Sequence, residues 1–507
     1  MSDKASSTGA QIAAGVDDAP AIAAPDRRVL THGGLRRLMH STAARLNTLG
    51  LGRGDRIAIV LPNGPEMATA FVAVAAAAAT APLNPAYREE ELDFYLGDIG
   101  AKAILVGRDE AGPAVAVAER RGIGILRLTT NDGEAAGNFA IEGAAIGAPV
   151  ASDPVQPDDA ALLLHTSGTT SRPKLVPLTH ANLAASAKHI GATLGLKPDD
   201  RCLNIMPLFH IHGLIAAVLS SLAAGGSVFC TPGFNALRFF HWLDEARPTW
   251  YTAVPTMHQA ILARAARNPE AVAASKLRLI RSSSSSLPPQ VMAELEALFH
   301  CPVIESYGMT EAAHQMTSNR LPPGARKPGS VGPAAGPEVA IMTDDGQLLP
   351  TDEVGEIVIR GPNVTTGYEK NPEANRAAFA HGWFHTGDQG TMDADGFVRV
   401  TGRLKEIINR GGEKISPREV DEVLMDHPAI AQAVTFAMPH DKLGEDVAAA
   451  VVLREGGEAS ERSIREFATT RLADFKVPRR VLILDEIPKG ATGKLQRIGL
   501  AQKLGLG

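Results

Sequence analysis

Between residues 162 and 177 the chain reads LLLHTSGTTSRPKLVP. An apolar run suited to a buried strand leads into Thr166, Ser167, Gly168, Thr169, Thr170 and Ser171, and Lys174 follows. Hydroxyls, backbone N–H groups and an ammonium gathered this closely suit a polyphosphate, which needs many donors and a cation. The Walker pattern does not fit, because Pro173 falls where its second glycine belongs and Leu175 where its final Ser or Thr belongs. Composition alone reads such a loop equally as a plain surface turn. The strand before it and the lysine after it weaken the surface-turn reading and leave both open.

Other chemistry-bearing residues are scattered downstream. Glu311 follows Thr310, Asp388 closes Thr386-Gly387-Asp388 with Arg403 further on, His210 ends Pro207-Leu208-Phe209-His210, and Lys494 lies in a glycine-bearing PKGATGK stretch. Taken singly each has an ordinary reading: a solvated helix start, a turn aspartate, a structural histidine, a solvated lysine.

Taken in order, the segments resemble the adenylate-forming superfamily of acyl-CoA synthetases, peptide-synthetase adenylation domains and beetle luciferases. The resemblance runs from the loop through MPLFHIHG (206–213), SSSSSL (282–287), SYGMTEAAH (306–314), GWFHTGD (382–388), GRLKEIINRGGEKISP (402–417) and PKGATGKLQR (488–497). It implies a two-step reaction. A carboxylate takes AMP from ATP, expelling pyrophosphate, and the thiol of CoA then attacks the mixed anhydride; both steps need developing negative charge stabilised.

By the same resemblance Thr166, Ser167, Gly168, Thr169 and Thr170 hold the β/γ-phosphates, Lys174 belongs to the same ATP site, and Thr310 touches the α-phosphate. Glu311 holds Mg²⁺. Ser283, Ser284, Ser285, Glu305, Ser306, Tyr307, Gly308 and Met309 line the nucleotide site, with Tyr307 flat against adenine. Asp388 accepts the ribose hydroxyls with Arg403 beside it. His210 lies between the acid pocket and the CoA tunnel, and His212 is left as structural or supporting. Lys494 neutralises charge during adenylation. Lys405 is the hinge on which a small domain swings to present Gly411, Gly412, Glu413 and Lys414 to pantetheine.

Ser171 stands where most of the superfamily has glycine, which puts the backbone path there in question if the position needs a positive φ. That variant, with the serine-rich segment and the histidine after MTEAA, is similar to the oxalate-CoA ligase branch. The residues matching the acid-pocket walls are hydroxyls and imidazoles, whereas a fatty chain wants an apolar tunnel. His314, helped by Ser284 and His210, is the expected holder of a second carboxylate. The alternative is serines bonded to their own backbone and His314 packed in a helix. Malonate or medium-chain fatty acids are the alternative substrates, and an idle ATP-binding protein on the same fold is the alternative of another class. An amino acid substrate is disfavoured, since no aspartate stands in residues 207–214 to pair with an ammonium group.

The elements that must position these residues follow a rhythm. RIAIVL (56–61) precedes an apolar stretch, KAILVG (102–107) precedes residues 113–121, and the alternation recurs at 161–164, 227–231, 250–254, 277–280 and 302–305. Strand and helix in alternation argue for an α/β fold of parallel-rich sheets covered by helices. The uncharged run 67–83 reads as a buried helix, because it is mostly alanine and short of a bilayer span. From residue 336 turns such as Asp393-Ala394-Asp395-Gly396 mark a small antiparallel or barrel-like β unit. Past Gly402 an α+β texture begins, with helices over 417–426 and 463–472 and strands over 431–437 and 447–453. The expected domains are 1–402, for ATP and acid, and a mobile 403–507 with its hinge near 403–406.

Length and composition agree. A chain of 507 residues, 45% hydrophobic and 21% charged, is an ordinary globular sequence of several domains. Fifty Lys+Arg against 56 Asp+Glu give a net charge of −6, so no nucleic-acid partner is expected. Cys202, Cys230 and Cys301 form no metal or dithiol spacing, and the N-terminus reads as no secretory signal, so a cytoplasmic monomer or homodimer is expected.

Overall fold

A computed structural model describes residues 14–166, 173–488 and 495–507. The described residues form two compact units, the first of residues 14–166, 174–338 and 360–377 and the second of 173, 339–359, 378–488 and 495–507.

The first unit carries two large sheets. In one, the strands run in the order His314–Ser318, Val303–Met309, Leu279–Ser282, Trp250–Ala253, Arg201–Asn204, Ser227–Cys230, Pro20–Ala23 and Leu30–Thr31. Its five central pairings, from Val303–Met309 to Pro20–Ala23, are parallel. The edge pair Val303–Met309 with His314–Ser318 is antiparallel. The other sheet orders Ala140–Glu142, Gly124–Thr129, Ala103–Gly107, Arg56–Val60, Ala79–Pro82, Ala160–His165 and Leu175–Thr179. Strands covered on both faces read as continuous apolar runs, which is why residues 56–60 and 103–107 were legible as strands. Leu203, Phe229, Phe239, Tyr251, Ile280 and Val303 pack one core, and Ala58, Ile104, Val106, Leu96 and Leu163 pack another.

The run 67–83 is not one helix. The helix Pro65–Ala75 ends, and Ala79–Pro82 is a strand between Arg56–Val60 and Ala160–His165. Alanine favours helix, but Thr80 is β-branched and donates its hydroxyl to the Ala161 carbonyl at 2.9 Å, while Pro82 could not continue a helix. Tertiary pairing overrides propensity there.

The second unit has two sheets. Glu338–Met342, Gly355–Arg360, Phe384–Met392 and Val398–Arg403 form a four-stranded sheet whose last two pairings are antiparallel, the antiparallel form of the two the turns allowed. Glu413–Ile415, Ile408–Arg410, Gly444–Leu453, Ile430–His440 and Arg480–Ile483 form the other. The helix Pro417–Met425 starts as its sequence dictates, with Ser416 accepting from the Glu419 N–H at 3.3 Å and proline in the first turn. The last helix expected begins at Glu461, capped by Ser460. Among the described residues no helix is long and apolar enough to cross a membrane.

Candidate functional site

The stretch expected to bind phosphate falls between the two strands of an antiparallel hairpin, Ala160–His165 and Leu175–Thr179. Its base is closed by the Thr166 N–H donating to the Lys174 carbonyl at 3.0 Å and the Lys174 N–H donating to Thr166 Oγ1 at 3.3 Å. Ser167, Gly168, Thr169, Thr170 and the variant Ser171 lie outside the described residues, as does Lys494. Next to the hairpin, His165 Nε2 meets Asp98 Oδ2 at 2.8 Å and its ring packs edge-on against Tyr95.

Lys174, Tyr368 and Glu311 form a line that the sequence only half revealed. The Lys174 ammonium lies 4.4 Å from the centre of the Tyr368 ring. The Tyr368 hydroxyl donates to Glu311 Oε1 at 2.8 Å, and burial, helped by the Glu311 charge, raises the phenol's pKa. Tyr368 thus orients the carboxylate expected to hold Mg²⁺. It carried no recognised motif, and only its contact with Lys174 and Glu311 exposes it. The Glu311 carbonyl in turn accepts from the Thr365 N–H at 2.7 Å.

Tyr307, Gly308, Met309 and Thr310 are half-buried where the strand Val303–Met309 runs out. Gly308 is required: a Cβ there would lie 1.7 Å from the His314 carbonyl oxygen. Three of the expected nucleotide-site residues bond within the protein. Ser283 Oγ donates to the Ser306 carbonyl at 2.9 Å, and Ser306 Oγ lies 3.4 Å from the Ser282 carbonyl. Glu305 Oε1 accepts from the Leu287 N–H at 2.9 Å and so fastens the serine segment to its neighbouring strand. Ser284 is half-buried and Ser285 exposed.

Two of the residues expected at the acid pocket, Ser284 and His314, each meet His212. His212 Nδ1 meets Ser284 Oγ at 3.0 Å, and the rings of His212 and His314 pack edge to face at 4.9 Å. His314 opens a strand rather than sitting in a helix. Ser284, Ala313 and His314 all have positive φ, at 71°, 46° and 101°. Three non-glycine residues in that region at one place are strain of about 1–3 kcal/mol each, which accumulates at functional sites. His210 is half-buried with its ring 4.6 Å from Phe209.

In the second unit, Asp388 pairs in register with Arg403, and Arg403 Nε lies 3.2 Å from Asp388 Oδ1. The Asp388 N–H donates to Thr386 Oγ1 at 3.1 Å, and Gly387, at φ 74°, donates to Glu356 Oε1 at 2.8 Å. Lys405 is exposed in the turn between Val398–Arg403 and Ile408–Arg410. Gly411 and Gly412 have φ of 61° and 102° at the tip of the hairpin that carries Glu413 and Lys414, all four exposed.

Comparison with known proteins agrees with this arrangement. Residues 10–369 match the family model described as AMP-binding enzyme, and residues 419–494 match AMP-binding enzyme C-terminal domain. An oxalate–CoA ligase of Arabidopsis thaliana is 48% identical over 495 residues, covering 94% of this chain and 96% of its own. An oxalate–CoA ligase of Saccharomyces cerevisiae is 42% identical, covering 89% and 87%. The crystal structure of ATP-bound MatB from Rhodopseudomonas palustris superposes with a TM-score of 0.87 at 30% identity, over 98% of both chains. The chain belongs to the AMP-binding enzymes, as an adenylate-forming acyl-CoA synthetase.

Proposed function

We propose that the enzyme joins oxalate to CoA, by way of oxalyl-adenylate. The observation that carries this reading is the acid pocket: His212, Ser284 and His314 bring imidazoles and a hydroxyl together where a fatty-acid ligase needs an apolar wall. The 48% identity to an oxalate–CoA ligase supports it. One carboxylate oxygen of the acid attacks the α-phosphorus of ATP and pyrophosphate leaves. The CoA sulfur then attacks the acyl carbon and AMP leaves.

The residues divide this work. Thr166, Ser167, Gly168, Thr169, Thr170 and Lys174 bind the outer phosphates, Thr310 and Lys494 meet charge at the α-phosphate, and Tyr307 packs on adenine. Asp388 and Arg403 take the ribose. Lys405 is the hinge between residues 1–402 and 403–507, and Gly411, Gly412, Glu413 and Lys414 form the thioester face. Among the described residues no three His, Cys, Asp or Glu cluster as a metal cage. A single oriented carboxylate, Glu311, fits Mg²⁺ delivered on the nucleotide, which is held mainly by phosphate oxygens. When bound, Mg²⁺ supplies neutralisation of phosphate charge. Buried free thiols at Cys202, Cys230 and Cys301 support a reducing, cytoplasmic setting.

The test is AMP release with CoA across a panel of oxalate, malonate, hexanoate and octanoate. Oxalate is expected to have the highest kcat/KM. Hexanoate or octanoate outcompeting it would overturn the reading.

A further inference from the structure

Arg281 is fully buried on the strand Leu279–Ser282, and no carboxylate among the described residues pairs with it. Its Nη2 donates to Gln315 Oε1 at 3.3 Å and its Nη1 faces His212 Nε2 at 3.5 Å, while Nε has no hydrogen-bond partner among the described residues. Burial pulls the guanidinium pKa down to about 9, which still leaves it charged at neutral pH. A buried cation without an anion is costly, and proteins keep one where something arrives to neutralise it.

The neighbours show where that charge is directed. Thr252 Oγ1 lies 2.6 Å from His212 Nε2, so two donors, one of which can only donate, converge on that nitrogen. The ring proton therefore sits on Nδ1 and is donated to Ser284 Oγ at 3.0 Å. With its oxygen accepting from His212, Ser284 keeps its own proton for a further acceptor, at a half-buried position held at φ 71°.

We propose that Arg281 is the positioning residue of the acid subsite: acting through His212, it sets Ser284 as a donor to the second carboxylate of a short diacid, whose negative charge offsets its own. This deepens the oxalate reading and rests on it. Arg281 touches no reacting atom; it selects dianions over monoanions by supplying a fixed positive potential behind the donors.

The test uses the full chain as parent, Arg281→Met, Arg281→Lys, His212→Asn and His212→Leu, with oxalate, malonate and octanoate as probes. Arg281→Met is expected to fold with an unfolding temperature at or above the parent's, because an unpaired buried charge is exchanged for an apolar chain of similar length. Its KM for oxalate should rise about 100-fold while its KM for ATP stays within about twofold, and Arg281→Lys should recover at least a tenth of the parent kcat/KM. His212→Asn, which keeps an N–H near the Nδ1 position, should outperform His212→Leu on oxalate.

An Arg281→Met enzyme whose oxalate KM stays within about threefold of the parent's overturns the proposal. So does a parallel rise in the ATP KM, or a failure of both Arg281 variants to fold, since each makes the arginine a structural part. A parent that turns over malonate but not oxalate overturns the oxalate reading alone, and the same comparison then runs on malonate. A parent that prefers octanoate overturns both.

Discussion

Each side chain at this site is informative through what it excludes or orients. Gly308 excludes a side chain: the strand pair Val303–Met309 and His314–Ser318 closes so tightly that Gly308→Ala would place a methyl 1.7 Å from the His314 carbonyl oxygen. Overpacking of this kind costs about 3 kcal/mol. The variant should therefore unfold at lower temperature and lose acid turnover, because His314 moves with its carbonyl; a parent-like unfolding temperature would contradict the structure. Glu311 and Tyr368 are coupled by the 2.8 Å bond between them. Glu311→Gln removes the charge facing Mg²⁺ and is expected to raise the Mg²⁺ requirement by a few kcal/mol. Tyr368→Phe removes only the hydrogen bond to that charge and should cost less, about 1.5–3 kcal/mol. Titration of activity against Mg²⁺ at fixed ATP ranks the two, and the reverse order would show that Tyr368 does more than orient the carboxylate.

At the scale of elements, the second unit shows how Arg497 is held. Three residues past the end of the PKGATGK stretch, Arg497 Nη2 lies 2.7 Å from Asp421 Oδ2, its Nη1 donates to the Thr435 carbonyl at 2.9 Å, and its Nε lies 3.4 Å from Glu406 Oε2. Burial raises the pKa of Asp421, and Arg497 opposes that shift. Arg497→Met would strand the Asp421 charge, for a loss of about 3–5 kcal/mol, recovered in part by adding Asp421→Asn. Calorimetry on the single and double variants measures this, and a double variant as unstable as the single would rule out stranded charge as the cause. The hinge belongs to this scale as well. Lys405→Pro fixes φ in the turn after Val398–Arg403, so adenylation should persist while thioester formation falls; Lys494→Ala should give the reverse split. Pyrophosphate release, set against thioester formation from supplied acyl-adenylate, separates them. Equal losses in both half-reactions would refute the assigned roles.

For the whole molecule, buried histidines set the acid limit of stability. Burial lowers the pKa of His258 to about 3 and that of His180 to about 4, from an ordinary value of 6.5. Both are then neutral in the folded chain while the unfolded chain takes up protons below 6.5. Unfolding therefore binds protons, and stability is full above about pH 6.5 and falls as the pH drops toward the folded values. Each histidine contributes a loss of about 2 kcal/mol at pH 5 relative to pH 8. Denaturant midpoints at pH 8, 6 and 5 should decline for the parent and decline less steeply for His258→Gln. Identical slopes would mean that His258 is not the proton acceptor.

What the amino-acid sequence determined by itself was local. The strand–loop–lysine stretch 162–177, the cap at Ser416 and the apolar runs of the parallel strands depend on neighbours in the chain, so they could be read directly. Family motifs singled out Glu311, Asp388 and Lys405 from chain neighbours in the same way. Residues 67–83 misled because alanine states a helix preference, whereas the strand Ala79–Pro82 exists only through its partners. The cluster around Arg281 and His212 was decided by tertiary structure. Thr252, Arg281, His212 and Gln315 stand on three strands and a helix that the sheet brings side by side. An arginine inside a serine-rich segment looks solvated in sequence; only the fold shows it buried with no counter-charge among the described residues.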